Sequence, residues 1–98
     1  MPGLHIVAIL YAKEGKESEL SGDLAVITEA SRKEDGNIRY DLFEDQNDPR
    51  RFVIVEHWRS EADQQKHHND SDHIRHFHEN GDRNVERRES VHMLRPVV

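Results

Sequence analysis

Three groups of side chains in this sequence have types and spacings suited to chemistry. Glu56 and Trp58 stand two residues apart in the run Phe52-Val-Ile-Val-Glu-His-Trp58, so on an extended chain they share a face with Phe52 and Ile54. A carboxylate on an otherwise apolar face must find a hydrogen-bond donor, and an indole offers both a broad surface and an N–H. The pair can be read as packing, with the carboxylate tied to an arginine or a backbone N–H. It can also be read as one wall of a pocket between sheet and helices, where an aromatic ligand stacks on Trp58.

The second group is histidine: eight are present, and His67, His68, His73, His76 and His78 crowd one segment. Neutral imidazole is a favoured ligand for zinc, copper and iron, and His73 and His76 would be neighbours on one helix. No His-Glu-x-x-His motif occurs, and spacing alone identifies no carboxylate to complete a set, so no metal ligand is assigned and most of these histidines read as solvated. A general base among them would have to reach a pocket from the inner face of its helix. The third group, Arg83, Arg87, Arg88 and Arg95, is offset by Glu86 and Glu89 and reads as an alternating strand surface rather than an anion-binding patch. No nucleophile elbow, glycine-rich phosphate loop or serine triad signature occurs.

The elements that would carry these groups follow from periodicity. Leu4 to Ala12 is a strand with Leu4, Ile6, Ala8 and Leu10 on one face and Val7, Ile9 and Tyr11 on the other, so both faces favour leaving water. From Glu17 to about Lys33, Leu20, Leu24, Ile27 and Ala30 or Ser31 form one apolar helical stripe, and Gly36 suits the turn that follows. Asn37 to Glu44 alternates around Ile38, Tyr40 and Leu42. A turn cluster from Asp45 to Arg50 then leads to a strand from Phe52 to Trp58, predicting a hairpin. Ser60 caps a short helix to about His67. Asp70-Ser71-Asp72 offers a second cap for a helical turn or two carrying Ile74 and Phe77, and Asn80-Gly81 stops it. Val85 to Leu94 closes the chain as a strand.

That order is the split βαβ pattern. It predicts an α+β, ferredoxin-like fold in which residues 1–98 form a single domain, with a four-stranded antiparallel sheet and helices on one face. One chain with two helices can cover only one face of the sheet. The uncovered apolar residues, including Val53 and Val55, predict a homodimer in which two sheets pack face to face.

Composition limits the rest. Ninety-eight residues, 34% hydrophobic and 35% charged, allow one small core. A formal net charge of −6 argues against nucleic acid and against an anionic membrane surface, because both need a basic face. Cysteine is absent, which removes disulfides, thiolate metal sites and cysteine nucleophiles. No run approaches transmembrane length and no leader-like segment opens the chain, so the expected location is cytoplasmic.

Several stretches together carry a resemblance: Ala12-Lys-Glu-Gly-Lys-Glu, Glu34-Asp-Gly-Asn-Ile-Arg-Tyr-Asp-Leu, Asp48-Pro-Arg-Arg-Phe, Glu56-His-Trp-Arg-Ser, and the His68 and His73 pair of a His-x-x-Ser-x-His segment followed by Phe77. In these features the chain resembles the antibiotic biosynthesis monooxygenase family. The resemblance implies a dimeric α+β barrel and oxidation of a small aromatic quinol or anthrone-type substrate by molecular oxygen, with no flavin, haem or metal cofactor. It further implies Glu56, Trp58, His68 and His73 as catalytic candidates and Tyr40 and Phe77 as substrate-binding candidates. Haem-degrading relatives carry an asparagine on the first strand, and Leu4 to Ala12 has none. A non-catalytic small-ligand-binding dimer of the same fold is the alternative.

Overall fold

The computed structural model describes residues 3–98. Strand β1 (Leu4–Ala12) leads through a Gly15 turn to helix α1 (Glu17–Ser31). Strands β2 (Asn37–Asp45) and β3 (Asp48–Trp58) form a hairpin, helices α2 (Glu61–Asp70) and α3 (Asp72–Asn80) follow, and a 3-10 turn (Asp82–Asn84) enters strand β4 (Val85–Leu94). The four strands are antiparallel in the order β2-β3-β1-β4, the ferredoxin-like arrangement predicted from the element order. No helix among the described residues is long and apolar enough to cross a membrane.

The core lies between the sheet and the helices. Ile6, Leu10 and Ala12 of β1 and Phe52, Ile54 and Trp58 of β3 face Leu20, Leu24 and Ile27 of α1 and Phe77 of α3. Ser31, not Ala30, occupies the last inward position of α1 and is completely buried. Helix α1 ends two residues earlier than its pattern suggested. Three-residue bonds from Lys33 N to Ala30 O and from Glu34 N to Ser31 O tighten the chain there, while Arg32 reaches across to the Tyr40 carbonyl at 2.8 Å.

Two boundaries in the hairpin and in α2 also differ from expectation. Strand β3 begins at Asp48 rather than Phe52, because only Gln46 and Asn47 are needed to reverse the chain. The Asp45 carboxylate accepts the Asn47 N–H at 2.8 Å, and Arg50 and Arg51 are anchored to the Ala12 carbonyl and to Glu89. Helix α2 runs past His67 to Asp70. Ser60 caps it by accepting the Asp63 N–H at 3.2 Å, whereas the side chain of Ser71 caps nothing and instead donates to Glu34.

Gly36 has φ +87° in the turn between α1 and β2, and a Cβ placed there would fall against the Asp63 carboxyl group. Gly36→Ala should therefore combine backbone strain with displacement of the α2 cap, costing about 1–3 kcal/mol. Chemical denaturation measures it, and a variant as stable as the parent would show that this turn is not constrained.

The opposite face of the sheet carries no helix. Val7 pairs with Val55 and Ile9 with Val53 across β1 and β3, Phe43 is 46% exposed, and His5 and His57 stack with centroids 3.9 Å apart near one end.

Candidate functional site

A cleft of 330 Å³ opens between the sheet and helices α2 and α3, large enough for a small aromatic molecule. Its floor is Ile6, Ala8, Ile54 and Glu56, and its helical wall includes His67 and Phe77. Val91 and Met93 of edge strand β4 line it and remain 56% and 59% exposed, which places apolar surface at its rim. Another depression, of 420 Å³ beside Leu4, Arg59 and Leu94, holds neither a histidine nor a buried carboxylate and offers no comparable acid–base group.

Strand register positions the polar groups. Tyr40, Glu56 and Ile6 are cross-strand neighbours on β2, β3 and β1, so all three project toward the helices. Glu56 is 7% exposed, and one of its carboxylate oxygens accepts the Trp58 indole N–H at 2.8 Å. Burial pushes its carboxyl above the usual range. The Trp58 hydrogen bond opposes that shift, and the Glu34 charge adds to it. Burial, with the Glu56 charge, also holds the Tyr40 hydroxyl well above its ordinary value, so it remains a neutral donor.

Trp58 does not face the cleft as a stacking platform. It is fully buried, edge-on to Tyr40 at 6.5 Å and 4.7 Å from the His67 ring, and does not contribute to the cleft lining. Its place on the helix-facing side of β3 agrees with the sequence pattern, but Tyr40 and His67 pack against it. Glu56, Tyr40 and His67 are among the residues that line the cleft instead. Of the histidines singled out from sequence, His68 sits on the exposed side of the cleft wall and His73 turns toward α1, with its Nε2 3.3 Å from the Ser31 hydroxyl. Phe77 lines the cleft and is buried, as is Tyr40.

Spacing did not mark His67 as the inward histidine and did not point to Glu34. His67, not His68, is the inward histidine of α2, at 4% exposure. Its Nδ1 lies 2.5 Å from Glu34 Oε2, and the same oxygen lies 3.1 Å from His73 Nε2, while Ser71 donates to Glu34 Oε1 at 2.6 Å. Burial alone would raise the Glu34 carboxyl, but the hydrogen bonds from Ser71 and His67 outweigh it and leave it below the ordinary range. Burial lowers the His67 imidazole despite Glu34, so near pH 7 the pair is a carboxylate and a neutral imidazole. An ionised carboxylate has no proton to give; Nδ1 is therefore the donor, and the other ring nitrogen keeps its lone pair. His73 pairs across the α2–α3 break with His67, their centroids 5.8 Å apart, while His76 points away toward Asn80.

Residues 3–80, which carry all of these groups, match the model of the antibiotic biosynthesis monooxygenase family. The chain belongs to that family. A relative from Bacillus subtilis (strain 168), named "Putative monooxygenase YcnE", is 36% identical over 70 residues, covering 71% of this chain and 73% of its own length. Among solved structures, PA3566 from Pseudomonas aeruginosa superposes with a TM-score of 0.93 at 26% identity, over 100% of this chain and 97% of that one. SO0527 from Shewanella oneidensis gives 0.89 at 30% identity, over 97% and 91% of the two chains. Membership in the antibiotic biosynthesis monooxygenase family accounts for the four-stranded sheet with helices on one face and for the strand order.

Proposed function

We propose that this protein is a cofactor-independent monooxygenase that oxidises a small aromatic quinol or anthrone-type substrate with molecular oxygen in the cleft above Glu56. The observation carrying this reading is the buried carboxylate on the floor of an apolar cleft, held by the Trp58 N–H and pushed toward neutrality by desolvation. Family membership and the name of the Bacillus relative point to the same class of chemistry.

Glu56 removes a proton from an acidic phenol or activated methylene. A base of raised pKa suits this task, because its conjugate acid forms readily near neutral pH. The resulting anion is stabilised by the neutral Tyr40 hydroxyl and by the surrounding dipoles. It then reduces dioxygen directly. For a methylene substrate, one oxygen atom forms the new carbonyl and the other leaves as water, so the substrate supplies all the electrons. Phe77 on the helical wall and Ile54 on the floor orient the ring and leave an apolar path for dioxygen.

Oxygen uptake across a panel of reduced quinols and anthrones tests the proposal, run with and without chelator. Uptake that survives chelation supports it. Saturable binding without uptake would replace it with a non-catalytic ligand-binding role for the same cleft.

The working unit proposed is a homodimer formed through the open face of the sheet, where Val7, Ile9, Val53 and Val55 make a continuous apolar patch. Light scattering should give twice the chain mass, and Val53→Asp should convert the protein to monomers. A parent protein that is monomeric at micromolar concentration would contradict the dimer.

A further inference from the structure

We propose that Glu34, His67 and His73 form a binding site for a divalent transition-metal ion of the zinc class, lying behind the cleft wall. This goes beyond the oxygenation chemistry above and does not depend on it. The three ligands come from separate elements: the turn after α1, helix α2 and helix α3. Their donor atoms all lie within 4.8 Å of one another.

The convergence is what distinguishes this group from the other histidines. Two imidazole nitrogens point at the same carboxylate oxygen, at 2.5 and 3.1 Å. In a tetrahedral zinc site, nitrogen and oxygen donors lie about 2.0–2.2 Å from the ion and hence roughly 3.3 Å from each other. The His73–Glu34 separation is already near that spacing, and the His67–Glu34 pair has to open by less than about 1 Å. Each imidazole must carry its proton on the ring nitrogen facing away from the ion, which a neutral histidine can do by changing tautomer.

The surroundings favour such an ion. Ser71 donates to the second oxygen of Glu34 at 2.6 Å, fixing the carboxylate as outer-shell partners of metal ligands do. Ser31, fully buried, lies 3.3 Å from His73 Nε2, a contact that the ion would replace on binding. Glu34 and His73 keep 21% and 18% of their side-chain surface exposed, so an ion can enter and water can fill a fourth position. Two imidazoles and one carboxylate suit zinc, cobalt or iron(II) rather than magnesium or calcium, which prefer all-oxygen sets. An ion here would pin α2 and α3 to the α1–β2 turn.

The full chain, purified without a histidine tag and stripped with chelator, should be titrated with Zn²⁺ by calorimetry and with Co²⁺ by visible absorption. One tight equivalent per chain is expected, with the ligand-field bands of low-coordinate Co²⁺. Glu34→Gln and His73→Gln, both at partly exposed positions, should each weaken that equivalent by at least about a hundredfold. His76→Gln and His78→Gln should bind as the parent does, and Mg²⁺ should not compete. Thermal unfolding in chelator shows whether each variant folds, so lost binding can be separated from lost structure. The proposal is overturned if there is no tight equivalent, if both cluster variants retain it, or if it vanishes in His76→Gln or His78→Gln. None of these outcomes depends on turnover.

Discussion

Glu56→Gln is expected to lower kcat by about 10²–10⁴-fold while leaving substrate binding nearly unchanged, because the amide keeps the shape of the cleft floor but cannot take a proton. Its carbonyl can still accept the Trp58 N–H, so the core around the indole stays closed. Stability should move in the opposite direction. Burial raises the folded-state pKa of Glu56 above its ordinary 4.5, so its contribution to stability is fully present below that value and is lost as pH rises through the folded pKa. At pH 7 the parent chain carries the cost of a desolvated carboxylate that Gln does not have, so the variant should melt higher than the parent. The difference should shrink as pH falls toward 4.5. Thermal scans of both proteins across that range, together with steady-state kinetics, check both halves. A variant that is inactive and less stable at pH 7 would make Glu56 a structural group whose loss disturbs the site indirectly.

Trp58→Ala should cost about 3–5 kcal/mol, a large part of the roughly 5–15 kcal/mol that holds a domain of this kind together. The indole is the largest fully buried side chain, and its removal leaves a cavity beneath Tyr40 and His67 and strips Glu56 of its donor. The Ala variant therefore reports on folding more than on ligand stacking. Trp58→Phe is the sharper probe. It keeps most of the packing but deletes the N–H that opposes the raised pKa, so the Glu56 carboxyl should rise further and the acid limb of the pH–rate profile should move to higher pH. Glu34, whose charge acts on this carboxylate, and Tyr40, which feels it, are unchanged in the variant. Denaturant unfolding of the Ala variant and kinetics of the Phe variant decide the matter. An unshifted acid limb in Trp58→Phe would show that Trp58 does not tune Glu56.

The sheet was legible because its strands alternate between faces within clear turn brackets. Leu4–Ala12 and Val85–Leu94 are bounded where their patterns begin and end, and the faces assigned to Val7, Ile9, Val53 and Val55 are those seen. Helix α2 was harder to orient. Its only apolar residue is Ala62, so no stripe marks an inward side, and a choice between His67 and His68 rotates the helix by about 100°. Tertiary contact with Glu34 settles that rotation in favour of His67. Glu34 itself is 33 residues away along the chain, a distance no local spacing can bridge. The Glu34-Asp-Gly36 stretch was recognisable as a family feature, yet its partner histidines become apparent only once the turn after α1 is packed beside the α2–α3 break. Trp58 shows the complementary limit. Period-two alternation placed it on the helix side of β3, but whether it meets ligand or core depends on Tyr40 and His67 packing against it.

Isotopically labelled dioxygen tests the proposed reaction most directly. The chelator-treated protein is supplied with an anthrone-type substrate under labelled gas, and the product is analysed by mass spectrometry beside the Glu56→Gln variant. One labelled oxygen atom per product molecule is expected, formed at an undiminished rate by the chelated parent and at a rate near the uncatalysed background by the variant. Product free of label, or equal labelling rates in parent and variant, would contradict oxygenation driven by the carboxylate on the cleft floor.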